Sequence, residues 1–129
     1  MRVFMNKWFA RWARKEKMTD EILTQAAKEV VTGQVEADLG GGLFKKRIAR
    51  AGQGKRGGYR TLIGYCGKNT NRIIFLHGFA KNEKRNISSK EAVALQIAAQ
   101  SFFTTTDEQV IQLLQSEGFK EVVLDEQDT

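Results

Sequence analysis

The stretch Leu43-Phe-Lys-Lys-Arg-Ile-Ala-Arg-Ala-Gly-Gln-Gly-Lys-Arg-Gly-Gly-Tyr-Arg-Thr-Leu-Ile-Gly-Tyr-Cys66 decides the fold class, because its periodicity is that of strands. From Leu43 to Ile48 the side chains alternate. Phe44, Lys46 and Ile48 take one face, and Leu43, Lys45 and Arg47 take the other. Lys46 spoils the apolar face. Tyr59 to Cys66 alternates in the same way, with Tyr59, Thr61, Ile63 and Tyr65 opposite Arg60, Leu62, Gly64 and Cys66. Between the two runs, Arg50 to Gly58 is basic and glycine-rich and reads as a mobile loop. A turn at Gly67–Asn71 leads to a third strand, Arg72 to Phe79, whose centre Ile73-Ile-Phe-Leu76 is apolar throughout, as expected when both faces are covered. Connections this short predict an antiparallel meander.

Helical signals flank the meander. Upstream, Arg2 to Met5 reads as a short strand, and Asn6 caps a helix with Trp8, Phe9 and Trp12 at spacings of three and four. Arg11, Arg14 and Lys15 fall on that helix's other side. A second helix begins at Thr19, with Asp20 and Glu21 in its first turn and Met18 and Leu23 placed as a hydrophobic staple. Ile22, Leu23, Ala26, Ala27 and Val30 form its apolar stripe, and Gly33 stops it. Downstream, Ser88-Ser-Lys-Glu91 and Thr106-Asp-Glu-Gln109 are two capping boxes, each opening a helix. Gly118 ends the last helix, and Phe119 to Leu124 reads as a terminal strand. The expected architecture is α+β: a helical hairpin on a small antiparallel sheet, then two more helices. It is one domain over residues 1–129, with a core at about 3–103 and a C-terminal helix and acidic tail at 104–129.

Composition narrows the function. With 41% hydrophobic and 28% charged residues the chain has the balance of a globular domain, and no apolar run approaches the roughly 20 residues that cross a bilayer. The opening Met1 to Lys7 is too short in apolar residues for a secretory signal, so a cytoplasmic address without membrane partners is expected. One cysteine and one histidine make a metal site improbable, and no cofactor is expected.

The net charge of +6 is uneven. From Asp107 onward there are seven acids against the single base Lys120, whereas Leu39 to Asn82 holds no carboxylate at all. Seven cations lie between Leu43 and Thr61, so they lack local partners and await an outside anion, of which a nucleic-acid backbone is the obvious one.

Lys45 and Arg47 share a strand face, and Arg60 stands on the next strand, so three cations can converge on one phosphate. RNA is cleaved without metal when its 2′-hydroxyl attacks the neighbouring phosphate. That reaction needs a base, stabilisation of the transition-state charge and an acid for the leaving 5′-oxygen. A lysine among cations can act as base, and arginine offers a planar fork to phosphate oxygens. Composition and spacing favour nucleic-acid binding and leave open both catalysis and a merely solvated basic surface. Arg50, Lys55 and Arg56 are expected to grip RNA backbone from the loop, and Tyr59 and Tyr65 offer rings for base stacking against the plain alternative of strand tyrosines. His77 alternates with Ile73 and Phe75, which favours a packed strand histidine over a general base. Cys66 reads as a small strand residue, and the glycine-rich run lacks P-loop spacing.

Three segments taken together, Phe44-Lys-Lys-Arg-Ile-Ala-Arg50, Gly54-Lys-Arg-Gly-Gly-Tyr-Arg60 and Phe75-Leu-His-Gly-Phe-Ala-Lys-Asn-Glu-Lys-Arg-Asn-Ile87, resemble the RelE-type toxins of bacterial toxin–antitoxin systems. The ending Gly-Phe-Ala-Lys-Asn-Glu83 is similar to the HigB-like branch, and the resemblance runs from about Val3 to Phe103. It implies a RelE-like fold and a ribosome-dependent, metal-independent mRNA endoribonuclease that inhibits translation. It also implies silencing by a tightly bound antitoxin, commonly a helix-turn-helix protein. The matching positions are Lys45, Arg47 and Arg60, as base, phosphate clamp or transition-state stabiliser. Lys81 and Arg85 stand in the segment where related toxins carry a further catalytic arginine. Ile87 and Ser88 occur where better-studied relatives have a tyrosine, which leaves the general acid unassigned. Two other classes compete: a ParE-like DNA gyrase poison on the same fold, and an RNA-binding module without catalysis.

Overall fold

The computed structural model describes residues 1–50, 54–67, 71–83 and 86–123, with backbone only at 54–57. In chain order the elements are β1 (Arg2–Met5), α1 (Lys7–Lys15), α2 (Asp20–Val31), β2 (Ala37–Gly40), β3 (Leu43–Arg50), β4 (Gly54–Tyr65), β5 (Arg72–Ala80), α3 (Ser89–Phe103), α4 (Asp107–Ser116) and β6 (Lys120–Val122). The strands form one sheet in the order β2-β3-β4-β5-β1-β6. The β3-β4-β5 meander is antiparallel as its short connections require, but the sheet is mixed, because β1 lies parallel to β5. Two clusters form the core, one on each side of the sheet. On the first side Phe9, Ala13, Leu23, Ala27 and Val30 of the α1–α2 hairpin meet Ile48, Tyr59, Ile63, Ile73 and Phe75. On the second, Ala99, Phe102 and Val110 of α3 and α4 meet Phe4, Leu43, Leu62, Ile74, Leu76 and Phe79.

The caps read from the sequence are made. The side chains of Asn6, Thr19, Ser88 and Thr106 accept from the backbone N–H three residues on, and the last two close full capping boxes. Asn6 does more: its Nδ2 donates to the Leu76 carbonyl at 2.9 Å, so the start of α1 is tied to the middle of β5. At the far end of β5 strand, Arg72 donates to the Phe102 and Thr105 carbonyls (3.3 and 2.6 Å) and to Asp107 (2.7 Å), closing the α3 C-terminus.

Three readings need correction. Arg50 to Gly58 is not a loop through its length: β3 runs to Arg50 and β4 starts at Gly54, while 51–53 lie outside the described residues. Glycine is needed at Gly58 because the strands close tightly at an irregularity in register, and a Cβ there would strike the Ile48 carbonyl oxygen. The second correction is β2, which alternation did not reveal. It pairs with β3 through a turn in which Gly40, Gly41 and Gly42 all have positive φ (86°, 63° and 80°), a conformation glycine adopts without strain.

The third correction concerns His77. Leu62 pairs with His77 but Ile63 pairs with Phe75, so Leu76 is an extra residue on β5. That bulge reverses the parity, and His77 lies on the face opposite to Ile73 and Phe75, alongside Leu62 and Phe79.

A cationic cluster closed on Glu36

Cross-strand register assembles the candidate site. Arg47 on β3 pairs with Arg60 on β4, and Lys45 pairs with Leu62, so Lys45, Arg47 and Arg60 share the second face of the sheet. These three are brought together as their strand faces predict. Their partner is the surprise. Although no carboxylate lies between Leu39 and Asn82, Glu36, just ahead of β2, reaches back into the cluster. Its Oε2 accepts from Arg47 Nε at 2.6 Å, and its Oε1 lies 3.0 Å from Arg60 Nε and 3.6 Å from Lys45 Nζ. The cations are therefore not without a local acid: sequence distance hid a carboxylate that the β2–β3 hairpin returns to them.

Their environments differ. Arg60 is 2% exposed, whereas the Arg47 side chain is 45% exposed. Lys45 also donates to Asn86 Oδ1 at 3.1 Å, which joins the segment before α3 to the cluster. Burial alone would raise the Glu36 pKa. The hydrogen bond from Arg47 and the charges of Arg60, Lys45 and Arg47 outweigh it and hold this carboxyl below the usual range. Two polar atoms in the cluster remain unsatisfied. Among the described residues, Arg60 Nη2 is buried with no hydrogen-bond partner, and Glu36 Oε1 receives no aligned hydrogen bond despite its short ion-pair distances.

Lys46, on the opposite face, is structural. Its Nζ meets Glu29 Oε1 at 2.8 Å and donates to the Gln34 carbonyl at 2.7 Å, which explains a lysine among apolar neighbours. Tyr59 lies on that face too, 6% exposed, edge-on to Trp12 and donating to Glu16 at 2.8 Å. Burial and the Glu16 bond push its phenol pKa up. Its ring packs in the core on that face, apart from the cation cluster, as the strand-tyrosine alternative has it. Arg50 stacks its guanidinium 5.6 Å from that ring.

Lys81 is exposed in the turn after β5, where its backbone N–H donates to the Gly58 carbonyl at 3.1 Å. Arg85 and the side chains of Lys55 and Arg56 lie outside the described residues. The sequence reading missed Glu36 and Asn86. A carboxylate four residues before a Gly-Gly-Gly hairpin was the available signal for the first, and nothing pointed to the second. His77, turned by the bulge, completes a row Lys45–Leu62–His77 across β3, β4 and β5.

Comparison with known protein families gives a match to the family described as the RelE toxin of the RelE / RelB toxin-antitoxin system, over residues 1–122. The chain belongs to this RelE toxin family. Toxins of the family generally inhibit translation and are generally endoribonucleases, and membership implies an antitoxin partner. Comparison with individual curated proteins gives no match. Among the described residues of this RelE toxin, no helix is long and apolar enough to cross a membrane.

Proposed function

We propose that this RelE toxin is a ribosome-dependent mRNA endoribonuclease that works without metal, with Lys45, Arg47 and Arg60 as its catalytic cations. The observation that carries the reading is the convergence of these three side chains on one anion, Glu36, at hydrogen-bonding and ion-pair distances. In the reaction the 2′-hydroxyl oxygen bonds to phosphorus while its proton passes to a base, the bond to the 5′-oxygen breaks, and that oxygen takes up a proton. A 2′,3′-cyclic phosphate and a 5′-hydroxyl result. Charge builds on the non-bridging oxygens, and Arg60 meets it from a buried, fixed position on β4. Arg47 and Lys45 complete the clamp from the neighbouring strand.

Lys81 and Arg85 are assigned to the same reaction from their segment after β5, and Arg50, Lys55 and Arg56 to the RNA backbone. The segment Gly78-Phe-Ala-Lys-Asn-Glu83 supports the HigB-like branch and, with it, a helix-turn-helix antitoxin in the bacterial cytoplasm. Mapping transcript ends after adding the toxin to a translating extract tests the proposal. Cuts within translated codons are expected, whereas intact transcripts at toxin levels that saturate ribosomes overturn it. Double-strand DNA breaks on expression, with messenger intact, would instead mark the gyrase poison.

A further inference from the structure

The cation cluster is closed on its own chain, but closed imperfectly. Three cations against one carboxylate leave a local excess of two positive charges. Arg60 has buried its guanidinium with Nη2 lacking an acceptor among the described residues, and Nη1 reaches the Tyr59 carbonyl at 3.4 Å. A buried charged donor left unsatisfied is costly, so the pocket offers more hydrogen-bonding capacity than Glu36 uses. A phosphodiester presents two non-bridging oxygens with a carboxylate's single charge, and adds ester oxygens that a carboxylate lacks.

We propose that Glu36 is a latch: in the free toxin its carboxylate occupies the subsite that an RNA phosphate takes in the complex, and it leaves when RNA binds. The inference rests on the RNA-cleaving reading and adds an occupant that competes with substrate. Displacement is favoured because two anions held on the same three cations repel each other at close range, and it frees Arg47 Nε, whose one N–H is committed to Oε2 at 2.6 Å. Glu36 also lines an open groove between α2 and β3, where Gln25 and Gln34 offer amides and Lys46 offsets Glu29, although Glu21 stands there too, and its side chain is 19% exposed. A carboxyl held below its usual pKa is also a poor acceptor for a hydroxyl proton, which argues against Glu36 as the general base. While closed, the latch holds the three cations in position and masks them from unrelated polyanions.

Binding of a short RNA carrying a 2′-deoxy nucleotide at the scissile position isolates the subsite from cleavage. A latch closed nine-tenths of the time weakens apparent affinity about tenfold, so Glu36→Gln is expected to tighten binding by up to about that factor. Equal or weaker binding by a cooperatively folding Glu36→Gln overturns the latch. Glu36→Asp, whose shorter side chain weakens the contacts without removing the charge, serves if the glutamine variant does not fold: intermediate tightening supports the latch, and unchanged or weaker binding overturns it. Arg60→Gln separates the two ideas. Loss of binding in Arg60→Gln with no gain in Glu36→Gln removes the latch alone, whereas undiminished binding by Arg60→Gln removes the phosphate subsite itself.

Discussion

Arg60 is an expensive residue to keep inside a protein. Its guanidinium is almost wholly buried, and its ion pair among the described residues, at 3.0 Å, is to a carboxylate that does not align with its N–H. Such a group is better explained by what it does in a complex than by what it adds to stability, since isolated buried ion pairs seldom stabilise. Arg60→Gln or Arg47→Gln is therefore expected to lower single-turnover cleavage on translating ribosomes by about a hundredfold or more, the range for losing one transition-state donor. The thermal midpoint should change little beside that loss. Full activity in either variant would remove it from the site. Glu36 gives a second test at this scale. Its folded pKa lies below its unfolded value, so its contribution to stability is present above the unfolded carboxyl pKa and disappears as pH falls through the lowered folded one. Thermal midpoints measured from neutral pH downward should fall less steeply in Glu36→Gln than in the unaltered chain, with Glu121, lowered by its hydrogen bond from Arg2, supplying a remaining acid-side slope in both. Lys45, Arg47 and Arg60 were legible in the sequence because alternation alone sorts strand faces. Glu36 was not, because its partners are set by a hairpin that alternation did not reveal.

At the scale of elements, the bulge at Leu76 is what a two-residue period cannot foresee. One extra residue turns His77 and Phe79 toward the Leu62 face, and Asn6 holds the bulge from α1 through the Leu76 carbonyl. Asn6 also caps α1 by accepting from Phe9 at 2.8 Å. Asn6→Ala removes both bonds and is expected to destabilise the fold by about 2 kcal/mol, measurable by denaturant unfolding. A loss below a few tenths would mean that neither bond contributes. Beside the bulge, the Trp12 ring lies over Gly78 so closely that an added Cβ would fall inside its contact distance. Gly78→Ala should cost roughly 1–3 kcal/mol by overpacking and shift the indole fluorescence as the ring moves. The four helix starts were readable because caps are local chemistry, written within four residues. The parallel pairing of β1 with β5 joins positions about seventy residues apart, and no local pattern encodes it.

Across the whole molecule, charge is separated along the chain and between elements. The basic strands β3 and β4 meet at the hairpin that carries Arg50, Lys55 and Arg56, while Asp107, Glu108 and Glu117 belong to α4 and its C-cap. This asymmetry was visible in the sequence, as was the α+β class, since both depend on composition and period rather than on long-range register. It predicts how the protein holds RNA. Cations that only grip backbone act by releasing counterions, and each contributes about 0.7 to the slope of log affinity against log salt for a single strand. Replacing Arg50, Lys55 and Arg56 together by glutamine should therefore flatten that slope by about 2 and weaken binding most at low salt. The positions of the cuts should stay the same, because the groups assigned to the scissile phosphate are untouched. Filter binding across a salt series with the 2′-deoxy RNA, paired with end mapping in the translating extract, reads both quantities. A slope that does not change would show that these three cations do not meet the RNA, and a changed cleavage pattern would move them from the backbone to the choice of site.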